Sequence, residues 1–265
     1  MNSKAWLRVV RNSLIGELEY RSNYLILIFA TYTISLMELA LFRQIYRDRE
    51  EVQGFPRSAV LSFVVAGSLI RSGYTLWSLV SESVDEIRDG SFRKYLLQPI
   101  RYPLYFLARY LGPKLTTWTL IALTFIALKF VPGFEALLPA RAVLPFLASY
   151  LLTFALTWQL YLCFVYLGFW IEEASFLNMA FNLGVGLLSG SVLPFDWLPD
   201  WLREPLRWTP FPVIGDFPLR AAVDLLGPGE FQLYVVKAVA WIVALALIAR
   251  QLETRGVRRY EAFGG

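Results

Sequence analysis

Residues 142–170 read AVLPFLASYLLTFALTWQLYLCFVYLGFW, a run without one Asp, Glu, Lys or Arg. A bilayer core is crossed by roughly 20 apolar helical residues, and this run exceeds that length. A helix on a soluble domain would show an apolar stripe with a polar face opposite; this run has no such face. Five further apolar stretches lie at approximately 23–45, 58–80, 106–130, 174–195 and 231–251. The pattern predicts an all-α, polytopic membrane protein with about six transmembrane helices. The connectors are too short for a second fold of roughly 100 residues, so residues 1–265 read as a single transmembrane domain.

Composition agrees. The chain is 57% hydrophobic with a mean hydropathy of +0.49, above the roughly 45–50% apolar content of soluble domains. Its 25 Lys+Arg against 21 Asp+Glu give a net charge of +4. The basic residues border the apolar runs, which points to anionic lipid headgroups rather than nucleic acid. The single cysteine, Cys163, excludes an intrachain disulfide and reads as packing. With no histidine, a Ser–His–Asp triad and an H-E-x-x-H zinc helix are excluded, and a metal site of nitrogen and sulfur ligands is not expected. No G-x-x-x-x-G-K-[ST] loop is present, so the chain does not cradle a nucleotide phosphate that way. The pair Glu172–Glu173 reads as a short turn between the fourth and fifth spans.

The start does not have the form of a secretory signal peptide. Lys4, Arg8 and Arg11 alternate with Trp6, Leu7, Val10, Leu14 and Leu18, and the last four share a helical face. Residues 1–22 are expected to form an amphipathic helix lying along the membrane surface. With both termini inside, about 13 basic residues lie inside against about 9 outside, Arg203, Arg207 and Arg220 among them, which favours that orientation. Between the fifth and sixth spans, Trp197, Trp201 and Trp208 sit among Pro194, Pro199, Pro205, Pro210 and Pro212. Prolines break long helices and Trp prefers the headgroup level, so residues 194–229 are expected to form short extracytoplasmic interfacial helices.

Charges inside spans are costly and avoid lipid. Glu38 shares a helical face with Thr31, Ser35 and Phe42. Arg71 lies beside Gly67 and Tyr74, next to a stripe of Ser68, Ser72 and Thr75. Asn178, Asn182, Gly186 and Ser189 recur at helical spacing in the fifth span. Two readings fit these stripes: helix-to-helix hydrogen bonding, including a Glu38–Arg71 ion pair, or the lining of a substrate pathway. On the second reading Glu38 suits a cationic amphiphile, with Tyr32 and Phe42 adding cation–π contact. Lys114 and Lys237 read as residues near span ends that snorkel to the surface. The inner loop over 81–103 opens with Glu82, Asp85 and Glu86, turns at Asp89–Gly90, and continues as a short amphipathic helix from Ser91, its expected cap, to Leu97.

The segment IRDGSFRKYLLQPI resembles the cytoplasmic-loop motif of type-2 ABC exporter permeases at Ile87, Gly90, Ser91, Phe92, Leu96, Leu97, Pro99 and Ile100. Three other stretches resemble the small six-span bacterial branch of that family. They are ELEYRSNYLI before the first span, LSGSVLPFDWLPDWLREPLRWTPFP after the fifth, and the tail RGVRRYEAFGG through Gly256, Arg259, Tyr260 and Gly264. The resemblance covers essentially the whole chain through the order and spacing of these motifs. It implies a non-catalytic permease subunit of an ATP-driven exporter in the bacterial cytoplasmic membrane, moving an amphipathic or hydrophobic substrate outward. It further implies pairing with a second permease, identical or related, and two cytosolic ATPase subunits that carry ATP and Mg. Asp85, Glu86, Asp89, Gly90, Ser91, Phe92, Arg93, Leu96, Glu172 and Glu173 would then contact the ATPase. The first, second and fifth spans would line the pathway, and the third, fourth and sixth would support it. The alternative is a secondary transporter or channel without an ATPase, whose mark would be an internal repeat with interrupted helices.

Overall fold

The computed structural model describes the chain except residues 1, 2, 20, 53, 54, 77, 98–100, 135, 172, 264 and 265. Pro99, Ile100, Glu172 and Gly264 therefore lie outside the described residues. The first half runs α1 (Ser3–Glu19), α2 (Arg21–Ile45), β1 (Glu51–Val52), β2 (Phe55–Pro56), α3 (Arg57–Tyr74), α4 (Ser78–Arg88), α5 (Arg93–Leu96) and α6 (Tyr102–Leu128). The second half runs α7 (Val143–Leu167), α8 (Ala174–Leu188), α9 (Asp200–Leu206), α10 (Phe211–Ile214), α11 (Asp216–Ala222) and α12 (Glu230–Phe263). The strands form one antiparallel hairpin pairing Glu51 with Pro56 and Val52 with Phe55.

The protein is thus predominantly helical. Among the described residues, four helical stretches are long and apolar enough to cross a membrane: Ala59–Arg88, Tyr102–Leu128, Ala140–Leu167 and Glu230–Tyr260. The apolar part of α8, Phe176–Leu188, is shorter, about 20 Å at 1.5 Å per residue. The second expected span, 58–80, is two helices: α3 ends at Tyr74, Thr75 is extended (φ −64°, ψ 135°), and α4 begins at Ser78. The first third of the expected inner loop is therefore helix, since residues 81–88 continue α4. The fifth span stops at Leu188, before a turn at Gly190 with φ +83°. The sixth continues to Phe263, so most of the tail motif is helical.

The core sits on α3 and α7. Every residue from Ala59 to Ile70 is buried. Helix α7 packs against α12 on one side and against α3, α4, α8, α10 and α11 on others. Its small buried hydroxyls are all bonded. The Thr153 hydroxyl donates to the Val213 carbonyl (2.8 Å), and Ser149 and Thr157 donate to carbonyls of their own helix. Buried polar groups bonded in this way avoid the desolvation cost of unpaired ones. The proline-rich segment does form short helices, and α10 and α11 tuck into the bundle: Val213, Ile214, Phe217, Leu219 and Ala221 are buried, while Trp201 and Trp208 remain exposed.

Helix α1 has a protein partner as well as an amphipathic sequence. It runs alongside the first half of α6, with the Trp6 indole donating to the Leu104 carbonyl (3.1 Å). Ser13 and Leu14 press on Gly112, where a Cβ would meet α1 atoms at 2.7–2.9 Å. The packed face is displaced by about one residue from the expected face, so Leu7 is 59% exposed. A second close approach occurs at Gly67, where any side chain would collide with the Ser191 carbonyl. Overpacking of this kind costs about 1–3 kcal/mol. Gly67→Leu is therefore expected to lower the thermal unfolding midpoint in detergent, and an unchanged midpoint would contradict this packing.

Candidate functional site

A helix that stops inside an apolar stretch leaves its last carbonyls without intrahelical partners. At the end of α3, side chains of α6 take these groups. The Lys114 ammonium donates to the Ser72 carbonyl (3.1 Å), the Trp118 indole to Gly73 (3.0 Å), and the Tyr110 hydroxyl to Tyr74. These residues lie at i, i+4 and i+8, hence on one face of α6. A cation at a helix C-terminus also meets the negative end of the helix dipole. From α7, the Tyr161 hydroxyl accepts the Leu76 N–H (3.2 Å) and donates to Asn182 Oδ1 (3.0 Å). Asn182 in turn donates to the Asn178 carbonyl (2.8 Å). The fifth-span stripe is thereby turned inward: Asn178 and Ser189 are buried, and Asn182 is half-buried.

Lys114 is not near a span end. It lies midway along the 27-residue α6, about 18 Å from its start, and lines a cavity of about 420 Å³ between α2, the α3–α4 break and α6. Thr31, Tyr32 and Ser72 line the same cavity, and the Tyr32 hydroxyl bonds Thr124 of α6. Lys237 does lie near an end of α12, where its ammonium donates to the Arg207 carbonyl (3.2 Å) beside the Trp208 ring.

The remaining stripe residues lie in the α2–α3 seam. Glu38 pairs with Arg71 at 3.2 Å, and Arg71 also donates to the Ser191 hydroxyl (3.2 Å). Ser35 and Ser68, both buried, share a hydrogen bond. Phe42 is fully buried, its ring 6.0 Å from that of Trp197. The carboxylate of Glu38 thus already has a cation.

At the other end of α4 the chain turns. Gly90 adopts φ +86°, and Asp89 accepts the Ser91 N–H (2.8 Å), which holds its carboxyl below the usual carboxylate range. Ser91 does not cap a helix: its hydroxyl donates to the Glu86 carbonyl (3.3 Å), and the helix that follows is the single turn α5. Glu86 accepts from Lys94 (3.0 Å), Tyr95 (2.9 Å) and, more loosely, Arg109 (3.5 Å), while Arg109 also meets Glu82 (2.8 Å). Phe92 is buried with its ring 4.8 Å from Tyr102, 5.3 Å from Phe169 and 6.1 Å from Tyr260. One ring therefore ties the turn to α6, to the end of α7 and to α12. Asp85, Asp89, Ser91, Arg93 and Leu96 are exposed along the same turn, and Glu173 is exposed before α8.

A protein-family model described as "ABC-2 family transporter protein" matches residues 32–264. The chain belongs to the ABC-2 transporter family. Members are membrane transport components, and the long apolar helices agree with a multi-pass membrane protein. A comparison with curated proteins finds no match.

At the end opposite the α4–α5 turn, this ABC-2 protein carries a charge cluster with no counterpart among the expected site residues. Arg220 of α11 meets Asp216 (3.1 Å), Glu230 (3.3 Å) and Asp196. The Tyr234 hydroxyl donates to Asp216 (2.5 Å), and the Asp216 N–H donates to the Ser189 carbonyl (2.8 Å). Three carboxylates share one guanidinium, and Asp216 is the buried one. Burial outweighs Arg220 and pushes its carboxyl up to about 6. In sequence these residues are spread over Asp196 to Tyr234 without a spacing rule, and Arg220 registers only as one more outer charge. Tyr110, Lys114 and Trp118 did carry a readable signal, their repeat at four-residue spacing.

Two outcomes are expected. Glu38→Gln leaves Arg71 with a half-buried, unpaired charge and should cost about 2–3 kcal/mol, most of it recovered in the double variant with Arg71→Gln; a double-mutant cycle on unfolding in detergent measures this. For Asp216, the folded protein holds the proton more tightly than the unfolded chain. Stability is therefore fullest at low pH and is lost as pH rises through about 6. Lowering the pH from 7 to 5 should stabilise the protein by about 1 kcal/mol through this group, and Asp216→Asn should remove that slope.

Proposed function

We propose that the chain is the transmembrane permease subunit of an ABC exporter, moving an amphipathic or hydrophobic substrate outward with energy from separate ATPase subunits. The observation that carries this reading is the broken crossing α3–α4 in an ABC-2 family protein. One half, α3, is locked in the core, and the other, α4, ends in an exposed charged turn anchored by Phe92.

Six crossings follow if α2 and α8 are added to the four longer ones. Phe181 of α8 stacks on Phe211 of α10 at 5.7 Å, which holds α10 against the outer part of that crossing. Both termini then lie in the bacterial cytoplasm, and α9 to α11 lie outside. The turn from Asp85 to Leu96, with Glu173 nearby, receives the ATPase. A second permease, identical or related, completes the pathway. ATP binding draws two ATPases together, their motion displaces the turn, and α4 bends against α3 at the break. Transport requires that nucleotide bind the two arrangements with different affinity.

The test is purification of the protein expressed with its genomic neighbours. A co-purifying ATPase is expected, whose hydrolysis is coupled to transport and becomes uncoupled in Phe92→Ala while the complex stays assembled. Failure to recover any ATP-binding partner would remove the proposal in favour of a secondary transporter.

A further inference from the structure

Helix α7 packs closely along α12 but only lightly on α6. Toward the α4–α5 end this leaves a cleft between the start of α6, the last turns of α7 and α12. Its volume of about 560 Å³ falls within the range of small-molecule sites, about 300–1,000 Å³. Trp158 and Leu162 of α7 form its apolar wall, and the small Ala246 and Ala249 of α12 leave it room. Two exposed arginines line it, Arg101 directly before α6 and Arg250 directly after the apolar run of α12. Both therefore stand where a crossing meets the headgroups, at the same end of the bundle. The Arg101 guanidinium has no hydrogen bond or ion pair among the described residues. Arg250 interacts with Glu253, one turn on, which is the one acid among the described lining residues. The cleft thus keeps a net positive charge. Deeper in, the Trp158 indole N–H is buried with no acceptor, and the Gln159 amide has no partner among the described residues. A donor left unbonded at membrane depth is costly.

We propose that this cleft binds one anionic phospholipid of the surrounding leaflet, with its phosphate at Arg101 and Arg250 and one acyl chain along Trp158 and Leu162. Basic pockets between transmembrane helices are the form such sites take. The ester carbonyls just below the phosphate supply acceptors for Trp158 and Gln159. Acyl chains alone would offer these groups no hydrogen bond, and a soluble anion would leave the apolar wall uncovered. Basic edges attract anionic lipid in general; this cleft offers one bounded place for a single molecule. Phe92, Tyr95 and Tyr102 line the same cleft, so the bound lipid packs against the aromatic joint of the α4–α5 turn.

The test is native mass spectrometry of the full-length protein, released from detergent after equilibration with equal amounts of phosphatidylglycerol and phosphatidylcholine of the same chains. One retained lipid per protein chain is expected, phosphatidylglycerol over phosphatidylcholine by roughly tenfold, the preference that an arginine or two at a headgroup gives. The double variant Arg101→Gln, Arg250→Gln should lose this preference. The double variant Arg255→Gln, Arg258→Gln, which removes equal charge from exposed sites of α12 outside the cleft, should keep it. Ala246→Trp, which keeps every charge and fills the cleft, should weaken phosphatidylglycerol binding by a similar factor. Equal retention of the two lipids overturns the proposal, as does an unchanged preference in folded Arg101→Gln, Arg250→Gln. An equal loss in the Arg255→Gln, Arg258→Gln variant shows diffuse attraction to a basic edge and overturns it too. Should the Arg101→Gln, Arg250→Gln variant not fold, Ala246→Trp decides: undiminished binding overturns the proposal. Displacement of the lipid by inorganic phosphate assigns the cleft to a soluble anion and likewise overturns it. The readout needs no ATPase, so either result leaves the exporter reading as it stands.

Discussion

Backbone N–H and C=O groups at membrane depth must find partners within the protein, because hydrocarbon offers none. The break between α3 and α4 puts this constraint at the centre of the molecule. Tyr110, Lys114 and Trp118 take the three last carbonyls of α3, and Tyr161 takes the amide of Leu76. The first three bonds join α3 to successive turns of α6, and the fourth joins the break to α7. The orientation of α6 against the core is thereby set, and so is the wall of the chamber that Lys114 enters. A continuous helix here would need none of these side chains. It would also leave α4 no freedom to move apart from α3.

The two ends of the bundle solve different problems. At the α4–α5 end, aromatic rings of Phe92, Tyr95 and Tyr102 form a joint. Ring contacts of this kind are individually modest, about 0.5–1.5 kcal/mol, and are compatible with a surface that shifts under load. At the opposite end Arg220 and its carboxylates fasten α11 to the start of α12 and to the residues just after α8. Breaking such a buried pair costs far more than a ring contact. That end reads as the fixed one, and Gly67 lets α3 pack directly against it through Ser191.

Much of the architecture was legible from the apolar runs, because length and lack of charge are strong signals in a membrane protein. The crossings at α6 and α7 were found within a few residues, and so was the start of α12, whose helix runs on twelve residues past the expected end. The break at Thr75 was not, because the stripe of Ser68, Ser72 and Thr75 keeps helical spacing up to it and no Pro stands there. Local sequence thus left the two halves looking like one span. The polar stripes were legible as polar but not in their pairing. The choice between helix packing and a pathway for Glu38 and Asn182 depends on which helix faces them, and one sequence cannot specify that. In space Glu38 meets Arg71, and Asn182 meets Tyr161. Ser91 looked like a cap because it follows a glycine; a competing bond to Glu86 draws its hydroxyl away.

The proposed movement of α4 against α3 can be measured directly in a complex with the proposed ATPase. Nitroxide labels at Arg88 on α4 and Leu144 on α7 report one half by electron–electron double resonance, and labels at Arg57 on α3 and Leu144 report the other. Trapping nucleotide is expected to shift the Arg88–Leu144 distance by several ångströms while the Arg57–Leu144 distance stays constant. No shift at Arg88, or an equal shift in both pairs, would mean that the two halves move as one rigid helix and would contradict the coupling described here.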